Sequence, residues 1–548
     1  MASEAGRGLP IRGFGWLTWI ILGVAWLATV QVRPLFDPDE GRYAEIPREM
    51  LASGDWVTPR FDGLKYFEKP PLQYWATAAL YAVAGLHEWS ARAWSVGLAF
   101  GCLLLTFAWT GRLYGAPAAR AALVALAVSP YFLIVGHLNL LDAGFTFWLT
   151  AAVFAFTLAQ SGPPGSPAER RWMLTAWAGA ALAVLSKGLV VGVLTGGALI
   201  IYTLLERDAR TWRRLHFATG VPLFLILAAP WFVVVSARNP RFAEFFFVHE
   251  HFTRFLTTVH QRVEPWWYFV PLLALGTLPW LVPLAGATRA AWRESAPAEG
   301  AAFKPRKFLL IYCAWTLLFF SASGSKLAPY ILPAFPPLAA LAGVHAAGRT
   351  RFMALAARIG AALVVAVAAG LLLYSARRNA FVPHQAFTWT IAAAVLALGA
   401  AAYSLRGARP ALPGTALATA IGAILAWQCL LCGYGVIPPA RSARALVAAA
   451  RPWIDADSAL YSVGQYRETV SPYLGRLLTL VDYGGELSFG LQAEPGRATL
   501  GAAAFEAQWS AGHDAVAFFD PGMWDSWRRR GLPGRVIAAD DYTVAVSR

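Results

Sequence analysis

The chain has 548 residues, 57% of them hydrophobic and only 14% charged, with a formal net charge of +15. This balance excludes a soluble globular enzyme and points to a polytopic α-helical membrane protein, because many stretches of ~17–22 apolar residues can cross a bilayer. The positive charge does not imply nucleic acid: Arg and Lys cluster in short loops between apolar stretches, as cytoplasmic loops require, and can attract anionic membrane lipid.

Residues 1–11 are short and basic, and the long apolar stretch after them reads as a retained signal anchor. Fourteen apolar segments follow in chain order: 12–31, 71–86, 91–112, 120–136, 141–160, 172–186, 188–205, 214–236, 266–287, 308–323, 329–347, 358–375, 388–404 and 413–433. The most basic loops hold Arg170 and Arg171, Arg207 to Arg214, Arg289 to Lys307, Arg349 with Arg351, and Arg406 with Arg409. All five fall inside only if one segment before residue 160 does not cross. The segment 71–86 is short and opens on Pro70-Pro71, so it reads as a juxtamembrane or re-entrant helix. Thirteen spans remain, with Arg377 and Arg378 as the one exception to the charge rule. Residues 32–90, 137–141, 237–265 and 376–387 then face outward, as do the turns at Lys187 and Lys326.

The division expected is a membrane domain over 1–433 and an outward tail over 434–548. Short alternating runs at Ala459–Val463, Leu477–Val481, Ala515–Phe519 and Tyr542–Val546 predict a small α/β domain there. Cys102, Cys313, Cys429 and Cys432 all lie in apolar segments, so the C-x-x-C of the last two reads as helix packing.

The outward loops collect the residues that carry chemistry. The first gives Asp39, Glu40, Arg42, Glu68 and Lys69; Asp142 opens a span; the 237–265 loop gives His249, Glu250, His251 and Arg254; Lys187 sits at a turn. Asp39 and Arg42 are three apart and share one face if the segment is helical. Glu68 with His249 could hold a divalent metal, water or substrate completing the shell; alternatively Glu68 pairs with Lys69 or Arg254. Arg42, Lys69 and Arg254 could clamp a phosphate, or snorkel to lipid headgroups. Asp142 could simply cap its helix. Asp37 receives no role, and the tail shows no recognisable motif.

The runs Asp39-Glu-Gly-Arg42-Tyr-Ala-Glu-Ile, Met50-Leu-Ala-Ser-Gly-Asp-Trp and Tyr66-Phe-Glu68-Lys69-Pro-Pro resemble the first periplasmic loop of bacterial lipid-linked glycosyltransferases of the C-type fold. That superfamily includes the protein O-mannosyltransferases, and the aminoarabinose lipid A transferases are the most similar branch. The resemblance implies about thirteen transmembrane helices, juxtamembrane helices and a C-terminal periplasmic domain in the inner membrane. It implies Asp39 and Asp142 as the catalytic acids. It implies Arg42, Lys69 and Arg254 at the donor phosphate, with Lys187, Tyr43, Tyr66 and Tyr330 as weaker carry-overs. It places Glu68 and His249 at positions that resemble a zinc site. The expected partners are an undecaprenyl-phosphate-linked sugar donor, a lipid A acceptor and membrane lipids, with the chain as a monomer. The alternative left open is another polyprenyl-phosphate sugar transferase acting on a protein Ser/Thr or a glycan.

Overall fold

The structure is a computed structural model that describes residues 15–253, 264–295, 303–378, 384–406, 413–436, 442–483, 485–497, 499–512 and 514–548. All fourteen apolar segments fall on helices. Among the described residues, seven helices are long and apolar enough to cross a membrane, and an eighth candidate is a bent pair. That pair, Ala116–Ala127 and Pro130–Gly136, turns through 67°. The break has a local cause: Ser129 is extended ahead of Pro130, which disfavours helical geometry in its predecessor and lacks an N–H.

The contacts divide the chain into two compact units, and the division is not a simple cut near residue 434. One unit holds residues 1–30 and 95–434; the other holds 31–94 and 435–548. The first is a helical assembly. Its Pro167–Lys187 helix starts at Ser166, whose hydroxyl accepts from the Glu169 N–H, while Glu169 reaches back to the Gly165 N–H at 2.6 Å. This reciprocal cap satisfies two otherwise orphaned donors. Glu169 also pairs with Arg214 at 3.0 Å, and Arg214 donates to the carbonyls of Ala159, Gln160 and Gly162, each at 2.8 Å. A basic residue thus closes the unsatisfied end of the Leu141–Ser161 helix.

The second unit joins the first polar loop, within residues 31–94, to the tail. The loop contributes the Asp39–Ser53 helix, a two-stranded hairpin (Arg60–Phe61 with Leu64–Lys65) and the Leu72–Ala84 helix. The hairpin turns on Asp62-Gly63, both at positive φ (52° and 76°), the geometry for which Asp-Gly is favoured in a two-residue turn. The segment read as non-crossing is therefore a helix of this unit.

The tail is an α/β domain with a six-stranded sheet. Its order is Thr499–Leu500, Thr479–Val481, Ala459–Val463, Ala515–Phe519, Val544–Ser547, Arg535–Ala539. The first four strands are parallel and the last two pair antiparallel. Ala515–Phe519 is buried throughout, as a central strand covered on both faces must be. Phe505, Trp509, Phe519, Trp524 and Trp527 form the core beside it. Four strands lie on or overlap the runs read from the sequence; Thr499–Leu500 and Arg535–Ala539 carry no such alternating signal.

Polar ties sew loop to tail. Asp37 accepts from Arg467 at 2.9 Å and from the Thr469 N–H at 2.8 Å. Arg60 grips Glu494 at 2.9 Å, Asp62 accepts from the Leu478 N–H at 2.9 Å, and the Tyr473 hydroxyl accepts from the Leu35 N–H at 2.7 Å. Asp37, which had no assigned role, is thus a structural residue.

Candidate active site

The Asp39–Ser53 helix begins with two acids in its first turn, where the helix dipole favours negative charge. They point to different tasks. Glu40 is buried; it accepts from Arg92 at 2.7 and 2.8 Å and from the Phe36 N–H at 3.0 Å. Arg92, wholly buried, also donates to the carbonyls of Arg33 and Pro34 at 2.9 and 2.6 Å. This is a saturated structural pair. Asp39 is half-exposed and receives one bond, from Arg42 at 2.9 Å. The i, i+3 spacing read from the sequence does put both on one helix face.

Arg42 is buried between acids. Its second nitrogen pairs closely with Glu486 of the tail, and its guanidinium lies 5.8 Å from the Tyr43 ring centroid. Tyr43 packs against Tyr74 at 6.3 Å. Tyr66 and Tyr74 are buried with phenolic oxygens that have no hydrogen-bond partner among the described residues. Burial pushes both phenols well above their usual range, with Arg42 opposing. Burial likewise raises the Glu468 carboxyl to about 8, again against the pull of Arg42. One guanidinium thus sits among Asp39, Glu486 and Glu468. Of the three, Asp39 is the most exposed.

Gly41 explains why the motif carries a glycine between its charges. A Cβ there would lie 2.6 Å from the backbone carbon of Glu468 and 2.7 Å from its oxygen and from the Thr469 nitrogen. The backbone of the tail rests directly on the helix at that point. Lys69 donates to the Glu68 carbonyl at 2.8 Å and lies 3.8 Å from its carboxylate, so the loop holds this acid and base side by side.

A second cluster forms within the other unit. Asp142 lies in the first turn of Leu141–Ser161 but is engaged by Lys187, the last residue of the Pro167–Lys187 helix, in a close ion pair with both side chains mostly buried. The Lys187 ammonium also lies 4.7 Å from the Tyr330 ring and 5.6 Å from that of Phe145, within cation–π range. Lys187, weak in the sequence reading, pairs with Asp142, and Tyr330, likewise weak there, lies against the Lys187 ammonium.

His249 lies on a π-helical stretch, Glu244–Thr253, a geometry frequent at functional sites. Its ring stacks on Phe245 at 5.2 Å, and Nδ1 is 3.7 Å from Glu250. Arg254 lies outside the described residues. Among the described residues no group of three or more His, Cys, Asp or Glu is placed to hold a metal ion. Glu68 and His249 each offer an atom of the type zinc takes, an oxygen and a nitrogen, and they belong to different compact units.

Glu486, Glu468 and Arg92 were not singled out from the sequence. Glu486 and Glu468 lie more than 400 residues from Arg42 in a tail without motif, so no local signal pointed to them.

Residues 18–246 match the dolichyl-phosphate-mannose-protein mannosyltransferase family, and residues 446–548 match the aminoarabinose transferase C-terminal domain. The chain is 37% identical over 340 residues to an undecaprenyl phosphate-alpha-4-amino-4-deoxy-L-arabinose arabinosyl transferase of Pseudomonas fluorescens, covering 60% of this chain and 55% of that one. It is 34% identical over 337 residues to the protein of the same name from Aeromonas salmonicida, covering 60% and 59%. These matches span little more than half the length of the curated relatives. The crystal structure of ArnT from Cupriavidus metallidurans bound to undecaprenyl phosphate is similar over 97% of both chains, with a TM-score of 0.86 and 33% identity.

Proposed function

The chain belongs to the family of lipid-linked glycosyltransferases represented by ArnT, and from that premise we propose that it transfers 4-amino-4-deoxy-L-arabinose from undecaprenyl phosphate to lipid A phosphate at the periplasmic face of the inner membrane. The consequence is a less anionic outer surface and resistance to polymyxin and other cationic peptides. The observation that carries this reading is the near full-length likeness to an ArnT that binds undecaprenyl phosphate.

Asp39, half-exposed beside Arg42, offers a carboxyl group that can accept from the sugar's amine. In the reaction an oxygen of the acceptor phosphate bonds to the anomeric carbon, and the bond from that carbon to the lipid phosphate breaks. Negative charge develops on the departing phosphate. Lys69, Arg42 and Arg254 stabilise it there, while Asp39 and Asp142 orient the sugar and offset positive character at the anomeric carbon. Lys187 and Tyr330 fix the direction of the Asp142 carboxylate. Tyr43 and Tyr66 wall the Arg42 guanidinium. An acceptor phosphate is already an anion, so no strong general base is required. A zinc ion on Glu68 and His249 would supply Lewis-acid character at the phosphate.

The match of residues 18–246 to the mannosyltransferase family favours the second reading, sugar transfer to a Ser/Thr hydroxyl, in which Asp39 becomes the base. The two separate in purified protein. Transfer from the aminoarabinose donor to lipid A but not to a Ser/Thr peptide supports the first; the reverse removes it.

A further inference from the structure

A buried lysine outside the clusters above has no carboxylate within ion-pair reach among the described residues. Lys326 ends the turn Ser323-Gly-Ser325-Lys326, which joins the Pro305–Ala322 helix to the Ala328–Ala334 3-10 helix. It is 7% exposed, and its ammonium donates to the Ser323 carbonyl at 2.6 Å. An ammonium carries three donors, and among the described residues no carboxylate lies within ion-pair reach of it. Its neighbour Ser325 is 3% exposed, and the Ser325 hydroxyl has no hydrogen-bond partner among the described residues.

Other lysines of the same unit show the contrast. Lys187 has Asp142, and Lys304 and Lys307 share Glu206 at 2.5 Å. Burying an ion costs several kcal/mol unless an opposite charge and hydrogen bonds compensate it. The turn itself is rigid: the Ser323 hydroxyl donates to the Ser325 carbonyl at 3.0 Å and accepts from its N–H at 3.3 Å. The chain then runs straight into the wall of the second cluster. Two residues on, the Ala328 carbonyl accepts from the Tyr131 hydroxyl, and Tyr330 faces Lys187.

We propose that Ser325 and Lys326 form a phosphate subsite of the transmembrane unit, taking the phosphate monoester headgroup of a lipid substrate. The ammonium supplies the charge and the idle hydroxyl a directed hydrogen bond. The inference rests on the proposed function in one respect: that reaction brings two lipid phosphate monoesters to the protein, the acceptor's and that of the departing undecaprenyl phosphate, and either has this chemistry.

The test is equilibrium binding to the full chain in detergent, with undecaprenyl phosphate and bis-phosphorylated lipid A as separate probes. The variants are Lys326→Met, Lys326→Arg and Ser325→Ala. Lys326→Met should weaken one lipid at least tenfold, Ser325→Ala should weaken the same lipid severalfold, and Lys326→Arg should bind it better than Lys326→Met. A loss confined to undecaprenyl phosphate assigns the departing lipid's phosphate; a loss confined to lipid A assigns the acceptor's. Unchanged affinity of Lys326→Met for both lipids would overturn the proposal. If that variant does not fold, unchanged affinity of Ser325→Ala for both overturns it instead. Binding needs no sugar, so native chain that binds these lipids yet transfers no aminoarabinose refutes the functional reading alone.

Discussion

Substituting Gly41 by alanine tests the junction on which the first cluster depends. Two effects oppose each other. Gly41 lies inside a helix, where Ala is favoured over Gly by roughly 1 kcal/mol. Against this, the new methyl would sit 2.6–2.7 Å from backbone atoms of Glu468 and Thr469, about 1 Å inside normal contact. Backbone cannot rotate away as a side chain would. Nor can it retreat freely, because the Thr469 N–H is held by Asp37 at 2.8 Å and the Thr469 hydroxyl accepts from the Ala443 N–H at 2.8 Å. Overpacking of this kind costs about 1–3 kcal/mol, and each hydrogen bond lost adds about 1 kcal/mol. The net expectation is a destabilisation of about 1–3 kcal/mol, a fall in Tm of roughly 3–10 °C for a unit of this size. The assay is thermal unfolding in detergent by intrinsic fluorescence, with Gly97→Ala as control, a helical glycine whose Cβ meets nothing within 4 Å. Activity should fall with Tm, since Glu486 approaches Arg42 only while the tail is seated. A Gly41→Ala protein as stable as the native chain would refute the close backbone packing.

The pH dependence of the same unit has a definite sign. Burial raises the Asp62 carboxyl to about 8, with Glu45 adding to the rise and Arg48 and the Leu478 N–H opposing it. The folded state therefore holds the proton more tightly than the unfolded chain, and stability present below about pH 4 is lost as pH rises through about 8. Asp62→Asn should flatten this decline and gain up to several kcal/mol at pH 8–9, read as Tm across pH 5–9; a slope unchanged by the substitution contradicts the assignment. Glu40→Gln should cost about 3–5 kcal/mol by leaving Arg92 buried without its counter-ion, whereas Glu40→Met with Arg92→Met should recover much of it; a single variant melting like the native chain would show the pair to be dispensable. Metal analysis of purified protein should find about one zinc per chain, lost on Glu68→Gln or His249→Ala; equal zinc in all three excludes these ligands.

What the sequence disclosed follows from the range of the interactions involved. Apolar runs are local, so all of them fell on helices, and the short segment at 71–86 stood apart in the sequence by its length and its leading prolines. The Asp39–Arg42 spacing is one helical turn and was equally visible. The partners of those residues were not. Glu486 reaches Arg42 across 444 positions, and nothing in its neighbours marks it. Asp37 looked like surplus charge until Arg467 and Thr469 were seen to bind it. The tail was read as separate because its composition changes near residue 434, yet its contacts join it to residues 31–94, through ties that hydropathy does not register. The edge strand Arg535–Ala539 is mostly solvated and carries little of the alternation that identifies a half-buried strand.

The most direct test of the central claim is made in a Gram-negative strain lacking its own aminoarabinose transferase, complemented with the native chain or with Asp39→Asn at matched membrane expression. Mass spectrometry of lipid A and polymyxin survival are read together. The native chain alone should give the aminoarabinose mass increment and restored survival. Unmodified lipid A from well-expressed native chain, or equal modification by Asp39→Asn, would contradict it.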